Sequence, residues 1–342
     1  MRVISVNDGD EAARWDAYVE PRSFAVMDLS AWRRVVRKAY GMKSWFLAAV
    51  DGERWQGALS LYEARHPLFG SYLATSAFGN DGGFLFESES ARDALVAEAR
   101  KLADTRNVEY LVLRTRQTEV PGFTIDSHYR SAMLDLAGGA EQVWKDRIPA
   151  KTRNQVRKGQ KEAFTISTGH DQIGAFHRVF HEHMRDLGSP AHSLRYYEAI
   201  VEELGDRMDF IVVRDGEDLA AGALLFWTNG TAMNLHTVAL RKYNSRCPNY
   251  LIYWTMIEAA CKRGCTRFDM GRSEADSNNI KFKANWGTTI STLHYNYYLR
   301  KLDAVPYLDP RNPKYRIPML VWQKMPVLLT KQIGPRLIYG LL

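Results

Sequence analysis

Phe46-Leu-Ala-Ala-Val-Asp-Gly-Glu53, followed by Gly57-Ala-Leu-Ser-Leu-Tyr62, returns half a chain later as Phe210-Ile-Val-Val-Arg-Asp-Gly-Glu217, followed by Gly222-Ala-Leu-Leu-Phe-Trp227. Each copy reads as a hairpin: a short apolar strand, an Asp-Gly turn able to supply positive φ, and a returning strand whose glycine admits close packing. Before each hairpin stands a helix candidate with apolar residues three and four apart, Trp32, Val35, Val36 and Ala39 in one copy, Ile173, Phe176, Val179 and Phe180 in the other. After each comes a second helix and a strand, over residues 91–104 and 108–114, then over 250–262 and 266–270. Recurrence in this order reads as a tandem duplication. The expected class is α+β, each copy a mixed, mostly antiparallel sheet flanked by helices.

Length agrees, since 342 residues suit two domains. The expected division is 1–145, 146–300 and a tail over 301–342, where Pro306, Pro310, Pro313, Pro318, Pro326 and Pro335 rule out one long helix. With 46% hydrophobic and 25% charged residues the chain buries a real core, and disordered and fibrous classes are excluded. Net charge is +7, which suits phosphate-bearing or anionic partners. Three cysteines, Cys247, Cys261 and Cys265, make no disulfide framework, so a reducing cytoplasm is expected. No signal peptide and no spanning apolar window is visible.

The run Arg267-Phe-Asp-Met-Gly-Arg-Ser273 places Asp269 in an apolar alternation and sets Arg272 and Ser273 beyond Gly271, at a strand end where sites assemble. Further on, Lys281 and Lys283 flank Phe282; in an extended segment both lysines share a face. One lysine there stabilises an oxyanion or binds phosphate while Phe282 or Trp286 walls the pocket. The competing reading is an ion pair of Asp269 with a nearby cation and Trp286 as core. His236, in the strand over 232–239, is a candidate base or a core histidine. His177 and His181 stand one helical turn apart, but no further ligand pair is visible and no metal is expected; His183 is a candidate cleft histidine. Lys151, Arg153, Arg157, Lys158 and Lys161 crowd one helix, as a solvated connector or a phosphate site, with no aromatic ladder for nucleic acid, so no DNA partner is expected. The apolar, cationic stretch 317–342 suits either a peripheral membrane contact or packing back on the domains.

Phe268-Asp-Met-Gly-Arg-Ser273, Phe282-Lys283 with Trp286-Gly287, Asn249, Trp254, Leu187-Gly-Ser-Pro190, Arg153-Asn-Gln-Val-Arg-Lys158, Gly82-Gly83 and the tail Asn312-Pro313, Trp322, Pro326, Gly334-Pro335 together resemble the FemAB-related proteins of the GNAT (acyl-CoA N-acyltransferase) superfamily. The likeness is nearest to FemAB-like proteins found with exosortase/PEP-CTERM and exopolysaccharide systems. It implies tandem GNAT-like domains with the second one catalytic. It also implies an N-acyltransferase with acyl-CoA as co-substrate and no metal; groups other than aminoacyl groups are expected because no tRNA-binding arm is visible and the tail suits a membrane contact. The implied acceptor is an amine of a membrane lipid, such as a long-chain base, or of a cell-envelope precursor, met at the inner face of the cytoplasmic membrane. Lys283 takes its catalytic role from this resemblance, and Asp269 or His236, on adjacent expected strands, is the expected catalytic base. Phe282, Trp286, Arg272, Ser273, His183, Arg153 and Lys158 bind substrate, and Arg241, Arg246, Asn249 and Tyr250 bind the cofactor.

Two features depart from the family pattern. Residues 241–249 contain no glycine where the pyrophosphate loop is glycine-rich, although a helix starting at Pro248 offers free N–H groups. No heptad-like arm of the kind used with aminoacyl-tRNA appears. The rivals are an aminoacyl-tRNA-dependent transferase acting on a peptidoglycan or polysaccharide precursor, and a non-catalytic scaffold in envelope biosynthesis.

Overall fold

Both Asp-Gly turns close hairpins, with Gly52 at φ +58° and Gly216 at +59°. The computed structural model describes residues 1–116, 118–306 and 313–342; Pro310 and Asn312 of the tail lie outside the described residues. In chain order the elements are β1 (Arg2–Ser5), α1 (Asp10–Val19), α2 (Ser30–Tyr40), β2 (Ser44–Asp51), β3 (Arg54–His66), β4 (Gly70–Ala74), β5 (Phe84–Phe86), α3 (Glu89–Thr105), β6 (Tyr110–Arg116) and β7 (Thr124–Asp126). There follow β8 (Tyr129–Asp135), α4 (Gly139–Gln142), α5 (Ala150–Lys161), β9 (Phe164–Thr168), α6 (Ile173–Leu187), α7 (Leu194–Leu204), β10 (Met208–Asp215), β11 (Asp218–Thr228) and β12 (Thr231–Ala239). The chain ends with α8 (Pro248–Lys262), β13 (Arg267–Glu274), α9 (Asn278–Ala284), β14 (Thr289–Leu299), α10 (Pro313–Lys324) and α11 (Val327–Ile338).

The fold is α+β and duplicated, as the repeat implies, but the two compact units do not divide where the repeat does. The first holds residues 1–129, 291–306 and 337–342, the second residues 130–290 and 313–336. Strand pairing explains the difference from the expected division at 145 and 300. β14 completes the first unit by pairing antiparallel with β6, Leu293 with Arg116 through Leu299 with Tyr110. β8, which falls before the expected boundary at 145, neighbours β13 in the second unit. Each copy thus hands its last strand to the other unit.

Within the first unit the strand order is β1-β2-β3-β4-β6-β14, over a core of Leu47, Leu59, Leu61, Leu73, Leu95 and Leu111. Ser88 caps α3 by accepting the Ala91 amide. The second unit runs β8-β13-β12-β11-β10-β9. On one face α6 packs Phe176 against Phe210 at 5.0 Å between ring centroids, and Gly188 at φ +79° ends that helix.

The two repeated glycines are not structural equivalents. In β3 a bulge after Trp55 makes Gly57 the partner of Ala49, whereas in β11 the same bulge makes Ala221 the partner of Val213, with Gly222 one residue further on. A one-residue shift reverses the face. Gly57 therefore lies under Leu95 of α3, and Gly222 under α6, where an added Cβ would stand 2.8 Å from Val179 Cγ1. Gly222→Ala is expected to cost about 1–3 kcal/mol through overpacking. Adding Val179→Ala should recover part of that loss, and urea unfolding of the single and double variants measures the coupling.

Candidate functional site

β12 and β13 run parallel and pair from Thr231 with Arg267 to Met233 with Asp269, then part, although β12 continues to Ala239 and β13 to Glu274. Two local devices separate them. Leu224 pairs with His236 while Leu225 pairs with Asn234, so Leu235 is an extra residue in β12, and a bulge of this kind bends its strand. In β13 Gly271 takes φ +76°, and its amide donates to Asp269 Oδ1 at 2.8 Å. Parting leaves main-chain groups of both strands off the ladder, and such groups need partners.

Lys283 supplies one. Its buried ammonium donates to the carbonyls of Gly271 and Arg272, both at 2.9 Å. Burial pushes Lys283 down to about 8, with Asp269 opposing that fall and Arg272 adding to it. The extended segment expected around Phe282 is instead helix α9, capped by Ser277 Oγ, which accepts the Ile280 amide. Lys281 and Lys283 therefore stand about 200° apart around the helix rather than on one face; Lys281 is exposed and Lys283 buried. Lys283 reaches β13 from a helix, not from a neighbouring strand.

An aromatic wall stands beside it. Phe282 lies 5.2 Å from both Tyr250 and Tyr253 of α8, and Trp286 lies 6.0 and 5.7 Å from the same two rings. Trp286 is fully buried with its indole N–H unpaired. The Tyr253 hydroxyl accepts from Asn234 Nδ2 at 3.2 Å, Asn234 Oδ1 accepts from Thr237, and burial pushes the phenol up to about 12. Asn234, Thr237 and Tyr253 were not singled out in the sequence. Their signals were a polar residue in an apolar strand and two tyrosines three apart on α8.

Ladder partners share a face of the sheet, so the register sorts the remaining residues. Asn234 and Thr237 face α8. His236, with Leu224, faces α6 and α7, with its ring 4.7 Å from Phe180 and 5.8 Å from His192. By its pairing with Met233, Asp269 lies on that same face. His236 is buried, its Nε2 has no partner, and burial pushes it down to about 3. It touches neither Lys283 nor the aromatic wall. His177 and His181 both direct Nε2 at the His192 carbonyl, at 3.3 and 2.9 Å. Among the described residues no group of three or more metal-ligating side chains is placed to hold an ion. His183 Nδ1 stands 3.1 Å from the Ala239 carbonyl at the end of β12.

Several expected binding residues are engaged elsewhere. Arg153 spends its guanidinium on the carbonyls of Trp144, Lys145 and Ile148, closing the π-helical turn Val143–Arg147. Arg246 grips Asp215 with two N–H groups and Glu162 with a third, over the Phe164 ring. These contacts give both arginines structural partners, through one guanidinium nitrogen of Arg153 and all three of Arg246. Ser273 Oγ donates to the Arg272 carbonyl, and Arg272 is half-buried at the turn. Arg241 is exposed on the 3-10 turn that leads to α8. α8 opens with Pro248 at its first position after Cys247 at φ +60°, so the amides of Asn249 and Tyr250 begin the helix without intrahelical acceptors. Lys158 of α5 acts electrostatically on Cys247 there, and Gly159 lets the two helices touch, since a Cβ would lie 3.0 Å from the Cys247 carbonyl.

In the first unit the equivalent opening is laced shut. β4 and β6 pair only from Tyr72 with Tyr110 to Ala74 with Val112. Beyond that, the Gly82 amide donates to the Arg114 carbonyl of β6 and the Gly83 carbonyl accepts the Ser60 amide of β3. Asp81 adds a two-bond clamp on Arg116. The open strand pair belongs to the second unit.

Residues 149–283 match an acetyltransferase (GNAT) domain. The match takes in α5, the open strands and Lys283. Among solved structures, FemX is similar over 88% of this chain and 98% of its own, at 14% identity and TM-score 0.66. A tandem GNAT protein from the clavulanic acid biosynthesis pathway is similar over 86% and 97%, at 15% identity and TM-score 0.54. The L-PGS of Bacillus licheniformis is similar over 97% and 98%, at 12% identity and TM-score 0.53. No curated protein sequence matches the chain. The fold is thus the tandem GNAT arrangement, and it carries an acyltransferase-type domain.

The laced opening makes a prediction of its own. Asp28 is fully buried, takes a hydrogen bond from Ser23 at 2.6 Å, and abuts Gly82. Burial pushes its carboxyl from 3.8 up to about 7. Across that window the unfolded chain releases a proton that the folded chain keeps, so stability falls as pH rises to about 7 and then levels. Asp28→Asn should remove this component. The difference in unfolding free energy between variant and wild type should grow between about pH 4 and 7 and stay constant above.

Proposed function

We propose that the GNAT domain of the second unit is an N-acyltransferase that moves an acyl group from an acyl thioester, acyl-CoA, to a primary amine of a membrane lipid such as a long-chain base, or of a cell-envelope precursor. The observation that carries this reading is the parted pair β12 and β13 with the Lys283 ammonium held at its mouth. In such a transfer the amine nitrogen attacks the thioester carbon, the C–S bond breaks, and the proton lost by nitrogen ends on the departing thiolate. Holding the two reactants in line supplies much of the acceleration. An ammonium fixed beforehand stabilises the negative charge that grows on the carbonyl oxygen.

In this reading two of the three Lys283 N–H groups hold β13 and the third faces the oxyanion. The unpaired edges of the two strands take the amide groups of the donor's arm. The first turn of α8, with Lys158 beside Cys247, meets its phosphates. Arg241 remains for that role and Arg246 does not. Tyr250, Phe282 and Trp286 wall the acyl side. His236, neutral down to about pH 3, is a weak base, and Asp269 on the same face is the other acceptor for the amine proton.

A second reading, aminoacyl-tRNA as donor, draws on α5, where Lys151, Arg157, Lys158 and Lys161 are exposed. Mixing the protein with acyl-CoA or with aminoacyl-tRNA and a long-chain amine separates the readings. Amide formed only from acyl-CoA is expected; amide formed only from the tRNA overturns the thioester donor. Amide from neither, together with no binding of either donor, leaves a non-catalytic scaffold.

Lys283 sets the pH profile. If its charge stabilises the oxyanion, turnover falls as pH rises through about 8. Lys283→Arg stays charged across that range. The variant is expected to turn over at least about tenfold more slowly and to lose the alkaline limb. A limb that survives the substitution removes Lys283 from this role.

A further inference from the structure

The last two helices carry an exposed apolar surface without a partner. α10 and α11 are twelve residues each, joined at Met325 and Pro326. At about 18 Å apiece they fall well short of the roughly 30 Å apolar core of a bilayer, and no helix among the described residues is long and apolar enough to cross one. Their inner side is anchored on the second unit. Trp322 and Thr330 are buried, Met319 lies on Gly188, Gly334 lies on Ala191, and Arg185 donates to the Met325 carbonyl.

The outer side bears Ile317, Leu320 and Val321 on α10 and Leu328, Leu329 and Ile333 on α11, between 40 and 69% exposed. These six are nearly half of the thirteen large apolar side chains exposed among the described residues, and they fall within a stretch of seventeen residues. Charge points to what covers them. Residues 313–342 contain no Asp or Glu, whereas at the frequency of the whole chain, 39 in 342, thirty residues would hold about three. The same stretch carries Lys314, Arg316, Lys324, Lys331 and Arg336, of which Arg316, Lys324 and Arg336 are exposed. A cationic patch selects an occupant of negative potential. An apolar face whose own two helices carry cations and no acid complements an anionic lipid headgroup layer over acyl chains.

We infer that α10 and α11 form a docking face for an anionic membrane surface. Ile317, Val321 and Leu328 enter the headgroup boundary, and Arg316, Lys324 and Arg336 meet the lipid phosphates. The anchoring contacts run through Gly188 and Ala191, next to His192. The bilayer therefore meets the second unit on its α6 side, the side that His236 and Asp269 face, while the first turn of α8 lies on the other side of the sheet. Docking does not depend on the chemistry proposed for the site, and it is read by binding rather than by turnover.

The test is flotation of the full chain with phosphatidylcholine vesicles and with vesicles that also contain phosphatidylglycerol. Binding to the anionic vesicles alone is expected, weakening at least about tenfold when salt is raised. Val321→Glu combined with Leu328→Glu should reduce it by about the same factor without changing the melting temperature, because both positions are exposed. Equal binding to both vesicle types overturns the anionic assignment, and binding unaffected by the double substitution overturns the face. A dimer in sedimentation velocity that the substitution converts to monomer, with no vesicle binding, makes the face a self-contact and overturns the proposal. A failed acyl-transfer assay leaves every one of these outcomes readable.

Discussion

Two main-chain carbonyls and one buried ammonium hold the open end of the second sheet. Where β13 leaves β12, Lys283 donates to the Gly271 and Arg272 carbonyls, both at 2.9 Å. A buried cation is expensive unless paired and hydrogen-bonded, and Asp269 offsets part of the cost. The same contacts keep the strands apart and place a positive charge at the mouth between them. Removing the ammonium would leave both carbonyls and the turn at Gly271 without support.

The duplication gives two chances to build this opening, and the units use it differently. In the first, Gly82 and Gly83 fill the space where β4 ends, and only glycine fits, because a Cβ at either would stand 2.6 Å from Asp28 Oδ1 or Ser60 Oγ. In the second, β12 itself continues to Ala239, past its last pairing with β13 at Met233. One unit closes its opening with internal hydrogen bonds, and in the other the two strands pair only as far as Met233 and Asp269.

Much of this was legible in the residues. The repeat around Asp51-Gly52 and Asp215-Gly216 was visible because two-residue turns need positive φ and few residues supply it. The helices were visible because their buried faces recur every three to four residues. Asp269 stood out as a charge within an apolar alternation, whereas Lys283 was told from Lys281 only by the family resemblance. What misled was local: around Phe282 the alternation of two lysines suggested a strand, yet the Ser277 cap starts a helix there. Arg153 and Arg246 read as free cations because sequence spacing does not show which carbonyls and carboxylates a side chain will meet.

The sequence by itself determined the duplicated α+β class, the hairpins and the residues that bear charge near Gly271, because periodicity and turn chemistry are local properties. Only the tertiary structure decided that β14 and β8 are traded between units, since an edge strand takes whichever partner completes its ladder. It alone set Gly57 and Gly222 on different faces through a one-residue shift in register. It alone parted β12 from β13, because the bulge at Leu235 and the turn at Gly271 act together only when the two strands lie side by side.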